Sequence, residues 1–122
     1  MRDVKLLVVD DEQEFAEALA ERLSFHNMSP QVITSGSGAV AALKDGIPDV
    51  MILDMMMPDI NGMEVLKRVK AFYPQVEVIV LTGYGSEESL EEAKSLGAFD
   101  YMTKPVDFEK LVASIHRSVE LP

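Results

Sequence analysis

The chain is predicted to fold as an α/β domain, a parallel five-stranded sheet with helices on both faces. Strand-like and helix-like segments alternate five times along 122 residues, and strict alternation implies right-handed crossovers packed on both sides of one sheet. Four apolar runs also end in a polar group: Leu6-Leu7-Val8-Val9 in Asp10-Asp11, Val50-Met51-Ile52-Leu53 in Asp54, Val78-Ile79-Val80-Leu81 in Thr82, and Tyr101-Met102-Thr103 in Lys104-Pro105. A short apolar run closed by a charge is the pattern of a buried strand delivering a side chain to its exposed end.

The elements follow in order. Val4–Val9 reads as a buried strand and Glu12–His26 as a helix with Phe15, Leu19 and Leu23 on one face. Gln31–Thr34 is short and half-polar, as suits a sheet edge. Ser37–Asp45 is a helix carrying Ala39, Val40 and Leu43, closed by Gly46 with Pro48 beyond. Val50–Leu53 is the next buried strand, and after a loop with Pro58 and Gly62 the helix Met63–Phe72 runs until Pro74 stops it.

Val76–Leu81 is a β-branched strand. Ser86 caps a helix through Ser95, with Glu87 and Glu88 in its first turn and Gly97 at its end. Phe99–Met102 is a last, edge strand. The final helix, Phe108–Val119, is capped by Asp107 and shows the clearest periodicity, with Phe108, Leu111, Val112, Ile115 and Val119 on one face.

Composition excludes several function classes. The length suits one domain, and 48% apolar residues without low-complexity stretches describe a folded core. A net charge of −10 opposes sequence-independent binding to nucleic acid or to an anionic membrane. No cysteine is present, which removes disulfides, thiolate metal sites and thiol catalysis. The apolar runs fall well short of the ~20 residues of a membrane span, and Met1-Arg2-Asp3 does not begin a secretory signal. A cytoplasmic location is expected.

In an open parallel sheet, ligands bind beyond the carboxyl ends of the strands, where Asp10, Asp11, Asp54, Thr82 and Lys104 all fall. Two like charges ~5 Å apart at an effective dielectric of ~20 cost about 3 kcal/mol, so three carboxylates there call for cations. Lys104 supplies one, and a divalent ion would balance the rest. The side-chain donors are hard oxygens, which select Mg²⁺ or Mn²⁺; Met55-Met56-Met57 reads as packing rather than as a soft Cu(I) site.

A carboxylate is also a nucleophile able to form an aspartyl phosphate, and Asp54 stands alone at its strand end while Asp10-Asp11 come as a pair. Lys104 and the Thr82 hydroxyl would then hold phosphoryl oxygens. Taken singly, each of these residues has a plainer role as a helix cap, a turn residue or a strand-end hydroxyl. Their common placement is what assigns them chemistry. His26 and His116 have no partner at ligand spacing and are read as solvent-side residues.

At these residues the chain resembles the receiver domain of two-component response regulators. The matching stretches are Val8-Val9-Asp10-Asp11-Glu12, Leu53-Asp54-Met55-Met56-Met57-Pro58 with Gly62, Leu81-Thr82-Gly83 and Asp100-Tyr101-Met102-Thr103-Lys104-Pro105, and the likeness covers essentially residues 1–122 as one receiver domain, with the effector domain either absent or removed.

The resemblance implies a flavodoxin-like (βα)5 three-layer sandwich with strand order 2-1-3-4-5. It implies a phosphorelay switch in which Asp54 accepts a phosphoryl group from a sensor histidine kinase or phosphotransfer protein, and which is no enzyme beyond catalysing its own phosphorylation and dephosphorylation. Asp10, Asp11, Asp54 and the backbone carbonyl of Met56 would hold Mg²⁺, Asp11 most directly. Thr82 and Tyr101 would move with the phosphoryl group, Lys104 would pair with the acidic site, and the Lys104-Pro105 bond would be cis.

Met56 and Tyr84 flank the acceptor and hydroxyl positions, and slow loss of the phosphoryl group is expected from them: Met56 replaces a polar water-positioning residue and Tyr84 is bulky. The face of the fourth helix, fifth strand and fifth helix, with Lys94, Asp100, Tyr101 and Arg117, would serve a homodimer or an effector contact. An arginine early on the exposed face of the last helix, used by some DNA-binding regulators in dimer salt bridges, is missing.

Three other readings compete. An aspartate-nucleophile phosphatase would carry an acid two residues after the nucleophile, where Met56 stands. A flavin-binding module would have a Ser/Thr/Gly-rich first loop, where Asp10-Asp11 would repel phosphate. A receiver-like module that binds without phosphorylation would not need all five site residues, yet all five are present.

Overall fold

The computed structural model describes residues 3–83 and 85–120. Ten elements alternate strictly: β1 (Val4–Val9), α1 (Gln13–Leu23), β2 (Met28–Ile33), α2 (Gly36–Asp45), β3 (Val50–Leu53), α3 (Gly62–Phe72), β4 (Glu77–Thr82), α4 (Glu87–Ser95), β5 (Asp100–Thr103) and α5 (Phe108–Val119). All neighbouring strands pair in parallel, in the order β2-β1-β3-β4-β5, the flavodoxin-like order expected from the sequence.

The continuous apolar runs divide between two cores because successive strand residues face opposite sides of a sheet. Leu7, Val9, Met51, Leu53, Val78 and Val80 pack with Ala39, Leu43, Leu66, Val69 and Ala93 of α2, α3 and α4. Leu6, Val8, Val50, Ile52, Ile79 and Leu81 pack with Ala16, Leu19, Leu23, Leu111 and Ile115 of α1 and α5. β1, β3 and β4 are thus buried on both faces, which is why their sequences show no polar alternation. β2 and β5 lie at the edges and carry half-exposed residues.

Several boundaries shift by one to three residues from the sequence reading. The first helix ends at Leu23, gives way to a 3₁₀ turn over Ser24–His26, and the chain reverses at Asn27 with φ 59°. β2 begins at Met28 rather than Gln31: Met28 is buried, and Pro30, without an N–H, is accommodated because the strand is an edge. Gly46 ends α2 as expected but with extended backbone at φ −178°, so no left-handed cap is formed, whereas Gly97 after α4 has φ +103°.

The expected caps are present at Ser86 and Asp107, which accept from Ser89 N at 3.1 Å and Lys110 N at 3.1 Å. Ser35 and Asn61 cap α2 and α3 in the same way, at 3.0 Å each, and were not anticipated. Both histidines are exposed, although the ring of His26 tilts against Phe108 with centroids 5.3 Å apart. Among the described residues, no helix is long and apolar enough to cross a membrane.

The loop after β3 is held from two sides. Asp59 accepts from Gly36 N and Ser37 N at 3.1 Å and from Ser37 Oγ at 2.7 Å, at the N-terminus of α2. The Ser37 hydroxyl, with the backbone N–H groups of Ile60, Ser37 and Gly36, holds the Asp59 carboxyl below the usual carboxylate range. On the other side Gly62 lies against the chain just beyond β3, where an added Cβ would stand 2.5 Å from the carbonyl oxygen of Asp54 and 2.5 Å from Met55 Cα. Both neighbours are backbone and cannot rotate away. Gly62→Ala is therefore expected to cost about 1–3 kcal/mol despite alanine's better helix propensity, read as a lowered urea midpoint with an unchanged m-value.

Candidate functional site

The backbone ladder builds the site. Val9 pairs with Leu53 across β1 and β3, so the residues that follow them, Asp10 and Asp54, emerge side by side, and Asp54 N donates to Val9 O at 3.0 Å. Thr82 pairs with Thr103 across β4 and β5, and Lys104 N donates to Thr82 O at 2.8 Å, which starts the lysine toward the same sheet end. The Lys104-Pro105 bond is cis, as expected.

Asp10 and Asp54 are 3% and 5% exposed, and Thr82 is fully buried. Lys104 Nζ lies 2.8 Å from Asp10 Oδ2, 2.6 Å from Glu12 Oε1 and 3.8 Å from Asp54 Oδ2, and sits 4.3 Å from the ring centroid of Phe15. Burial alone would lower the Lys104 pKa, but the hydrogen bonds to Asp10 and Glu12 and the charges of Asp10 and Asp54 outweigh it and raise it. Burial pushes the Asp10 pKa up, aided by the charge of Asp54 and opposed by Lys104 and by the Glu12 N–H.

Ligand oxygens of Asp10, Glu12 and Asp54 lie within 4.8 Å of one another. Three hard oxygen donors around one small space fit a divalent cation of the Mg²⁺ type. A cavity of about 310 Å³ opens over the group, lined by Asp11, Glu12, Asp54, Met56, Gly83 and Lys104. The structure thus brings together Asp10, Asp54 and Lys104 directly, and places Asp11 and Met56 at the cavity wall, both exposed to solvent. Met56 N donates to Asp54 Oδ1 at 3.2 Å, so the backbone beside Asp54 already turns toward the site.

Tyr101 is half-buried against the core under α2, α3 and α4. Tyr84 lies outside the described residues. Glu12 was not singled out from the sequence, because directly before a helix an acidic residue reads as ordinary N-terminal charge. Its position immediately after the Asp10-Asp11 pair was the available signal.

The model of the response regulator receiver domain matches residues 6–116. The chain belongs to the receiver-domain family of two-component response regulators. Regulatory protein AtoC of Escherichia coli is 31% identical over 96% of this receiver domain, which spans about a quarter of AtoC, 25% of its length. Two solved structures share its architecture over nearly the whole chain. The BeF3-activated DrrB receiver domain is 30% identical, with TM-score 0.87 over 99% of this chain and 100% of that one. A response regulator from Burkholderia pseudomallei, solved with a phosphorylated aspartic acid, calcium ion and citrate, is 25% identical, with TM-score 0.87 over 93% of this chain and 66% of that one.

In this receiver domain the raised Asp10 pKa makes a sign-definite prediction. A free aspartate carboxyl titrates near 3.8 and burial lifts that of Asp10 above it, so the folded state binds the extra proton between the two. Stability held by protonated Asp10 is present at acid pH and lost as pH rises through the folded value. Asp10→Asn is expected to raise the Tm in metal-free buffer at pH 7. The gain should shrink at pH 4, as followed by thermal melts at both pH values.

Proposed function

We propose that this receiver domain is a phosphorylation-dependent switch in which Asp54 is the phosphoryl acceptor. The observation that carries the reading is the setting of Asp54: a nearly buried carboxylate at a strand end, 3.8 Å from an ammonium and within 4.8 Å of two further carboxylates. A carboxylate oxygen of Asp54 attacks phosphorus, forming a P–O bond while the P–N bond of a phosphohistidine donor breaks. The departing imidazole nitrogen takes up a proton, and the product is an acyl phosphate. Later attack by water on phosphorus returns the carboxylate and inorganic phosphate.

The residues share the work. Asp10, Asp11, Asp54 and the Met56 carbonyl would hold Mg²⁺, or Mn²⁺, which when bound supplies charge neutralisation between carboxylates and phosphoryl oxygens. Glu12 belongs to the same donor group by position. Lys104 donates to a phosphoryl oxygen, and the Thr82 hydroxyl donates to another. A phosphorylated aspartate and a bound calcium ion in the Burkholderia pseudomallei relative support both assignments. The phosphoryl donor is a sensor histidine kinase or a phosphotransfer protein.

The output face is α4, β5 and α5. Asp100, Tyr101, Thr103, Lys110 and Arg117 border a cavity of about 640 Å³ there. Asp100 accepts from the buried Ser114 hydroxyl at 2.7 Å and pairs with Arg117 at 3.5 Å, so the strand and helix are joined by one carboxylate. Tyr101, one residue on, moves with Thr82, and Lys94 adds a surface charge on α4; a homodimer or an effector docks on the changed face. An external phosphatase activity is disfavoured because Met56, two residues after Asp54, has no proton to give a leaving group.

Incubation with Mg²⁺ and acetyl phosphate is expected to add one phosphoryl mass to the wild type and none to Asp54→Ala, with the adduct mapped to Asp54 by peptide mass spectrometry. An adduct retained in Asp54→Ala would remove the assignment. Met56, 54% exposed at the cavity wall, cannot orient an attacking water. Met56→Asn should therefore shorten the phosphoryl lifetime by up to about tenfold, equal to ~1.4 kcal/mol of barrier. A lifetime equal to that of the wild type would show that Met56 does not set it.

A further inference from the structure

Lys104 has two hydrogen-bonded partners, and neither is the proposed acceptor. Its ammonium has three protons to donate. One goes to Asp10 at 2.8 Å and one to Glu12 at 2.6 Å, while Asp54 at 3.8 Å is beyond hydrogen-bond reach. The third is free to donate to a phosphoryl group on Asp54, and drawing Nζ from 3.8 Å toward that group lengthens whichever of the two existing contacts holds it less firmly.

The two partners differ in what release costs. Asp10 is nearly buried, and its other oxygen already accepts from Glu12 N at 2.9 Å, so losing the lysine would strand a charge away from water. The Glu12 side chain is 64% exposed, and water replaces the lysine as its partner. Glu12 is also unoccupied by its local duty. It stands at the N-cap of α1, yet its side chain makes no capping hydrogen bond and is turned to Lys104 instead. The backbone N–H bond to Asp10 fixes the residue beside the site, leaving only the side chain to move.

We infer that Glu12 is a positioning residue that latches Lys104 in the resting site and lets it go when Asp54 is phosphorylated. The inference rests on the proposed role of Asp54. It separates two parts of the cycle. The pair is lost on the way to phosphorylation, so it slows charging of the site. It is already open in the phosphorylated state, so it has no part in discharge. Asp10 keeps its hydrogen bond throughout and serves as the pivot.

The test is a double-mutant cycle with Glu12→Gln and Lys104→Met, using acetyl phosphate as donor and mass spectrometry as the readout. Glu12→Gln is expected to speed adduct formation about two- to fivefold, the scale of one exposed ion pair, and to leave adduct loss unchanged. In the Lys104→Met background the same substitution should have no effect. Both rates are read at saturating Mg²⁺, and exchange of the Lys104 ammonium protons with water, followed by NMR of the unphosphorylated protein, should accelerate in Glu12→Gln.

A rate change that persists in Lys104→Met, unaltered charging kinetics, or unaltered ammonium exchange would each overturn the latch while leaving Asp54 as acceptor. Wild-type protein that forms no adduct at Asp54 would instead overturn the acceptor assignment, and the latch with it.

Discussion

Like-charge repulsion at the end of the sheet is the constraint around which this molecule is arranged. The β1–β3 register obliges Asp10 and Asp54 to emerge as neighbours, and burial keeps water from screening them. Among the described residues, Lys104 is the cation that sits between them, and its raised pKa records how strongly the carboxylates hold its charge. A site short of positive charge is one that divalent cations enter readily. It also responds when its occupant changes, since any new charge redistributes the contacts of a single lysine.

The loop beside these carboxylates is anchored on two sides. Following Asp54, it is tied through Asp59 to α2 and held by Gly62 close to the backbone of Asp54 and Met55. The carbonyl proposed to face a metal, that of Met56, belongs to this loop. Donor groups held in place need no reorganisation when a cation arrives, which is the physical basis of preorganised sites.

Most of the architecture was legible in the sequence because strands buried on both faces leave long apolar runs and strict alternation with helices leaves few topologies. β1, β3 and α5 fell where the pattern put them. β2 was misplaced because an edge strand shares its burial with solvent and contains Pro30, so its pattern resembles a loop. Asp10, Asp54 and Lys104 were legible as ends of runs, and their convergence needed only the parallel sheet. Glu12 was not, since its significance is a distance of 2.6 Å to a residue far along the chain. The double grip on the loop after Asp54 was equally invisible, because it depends on how α2 and α3 approach the loop rather than on any local pattern.

The residues that meet at this sheet end come from widely separated stretches of chain: Asp10 and Lys104, in direct contact, are 94 positions apart. No fragment spanning one or two strands holds both the carboxylates and the lysine. Asp54 is an ordinary carboxylate in an unfolded or half-made chain, and becomes a distinctive one only when β1, β3, β4 and β5 are aligned. On the role proposed for Asp54, the capacity to be charged is therefore a report on the completeness of the fold, and a damaged or unfinished copy is chemically silent.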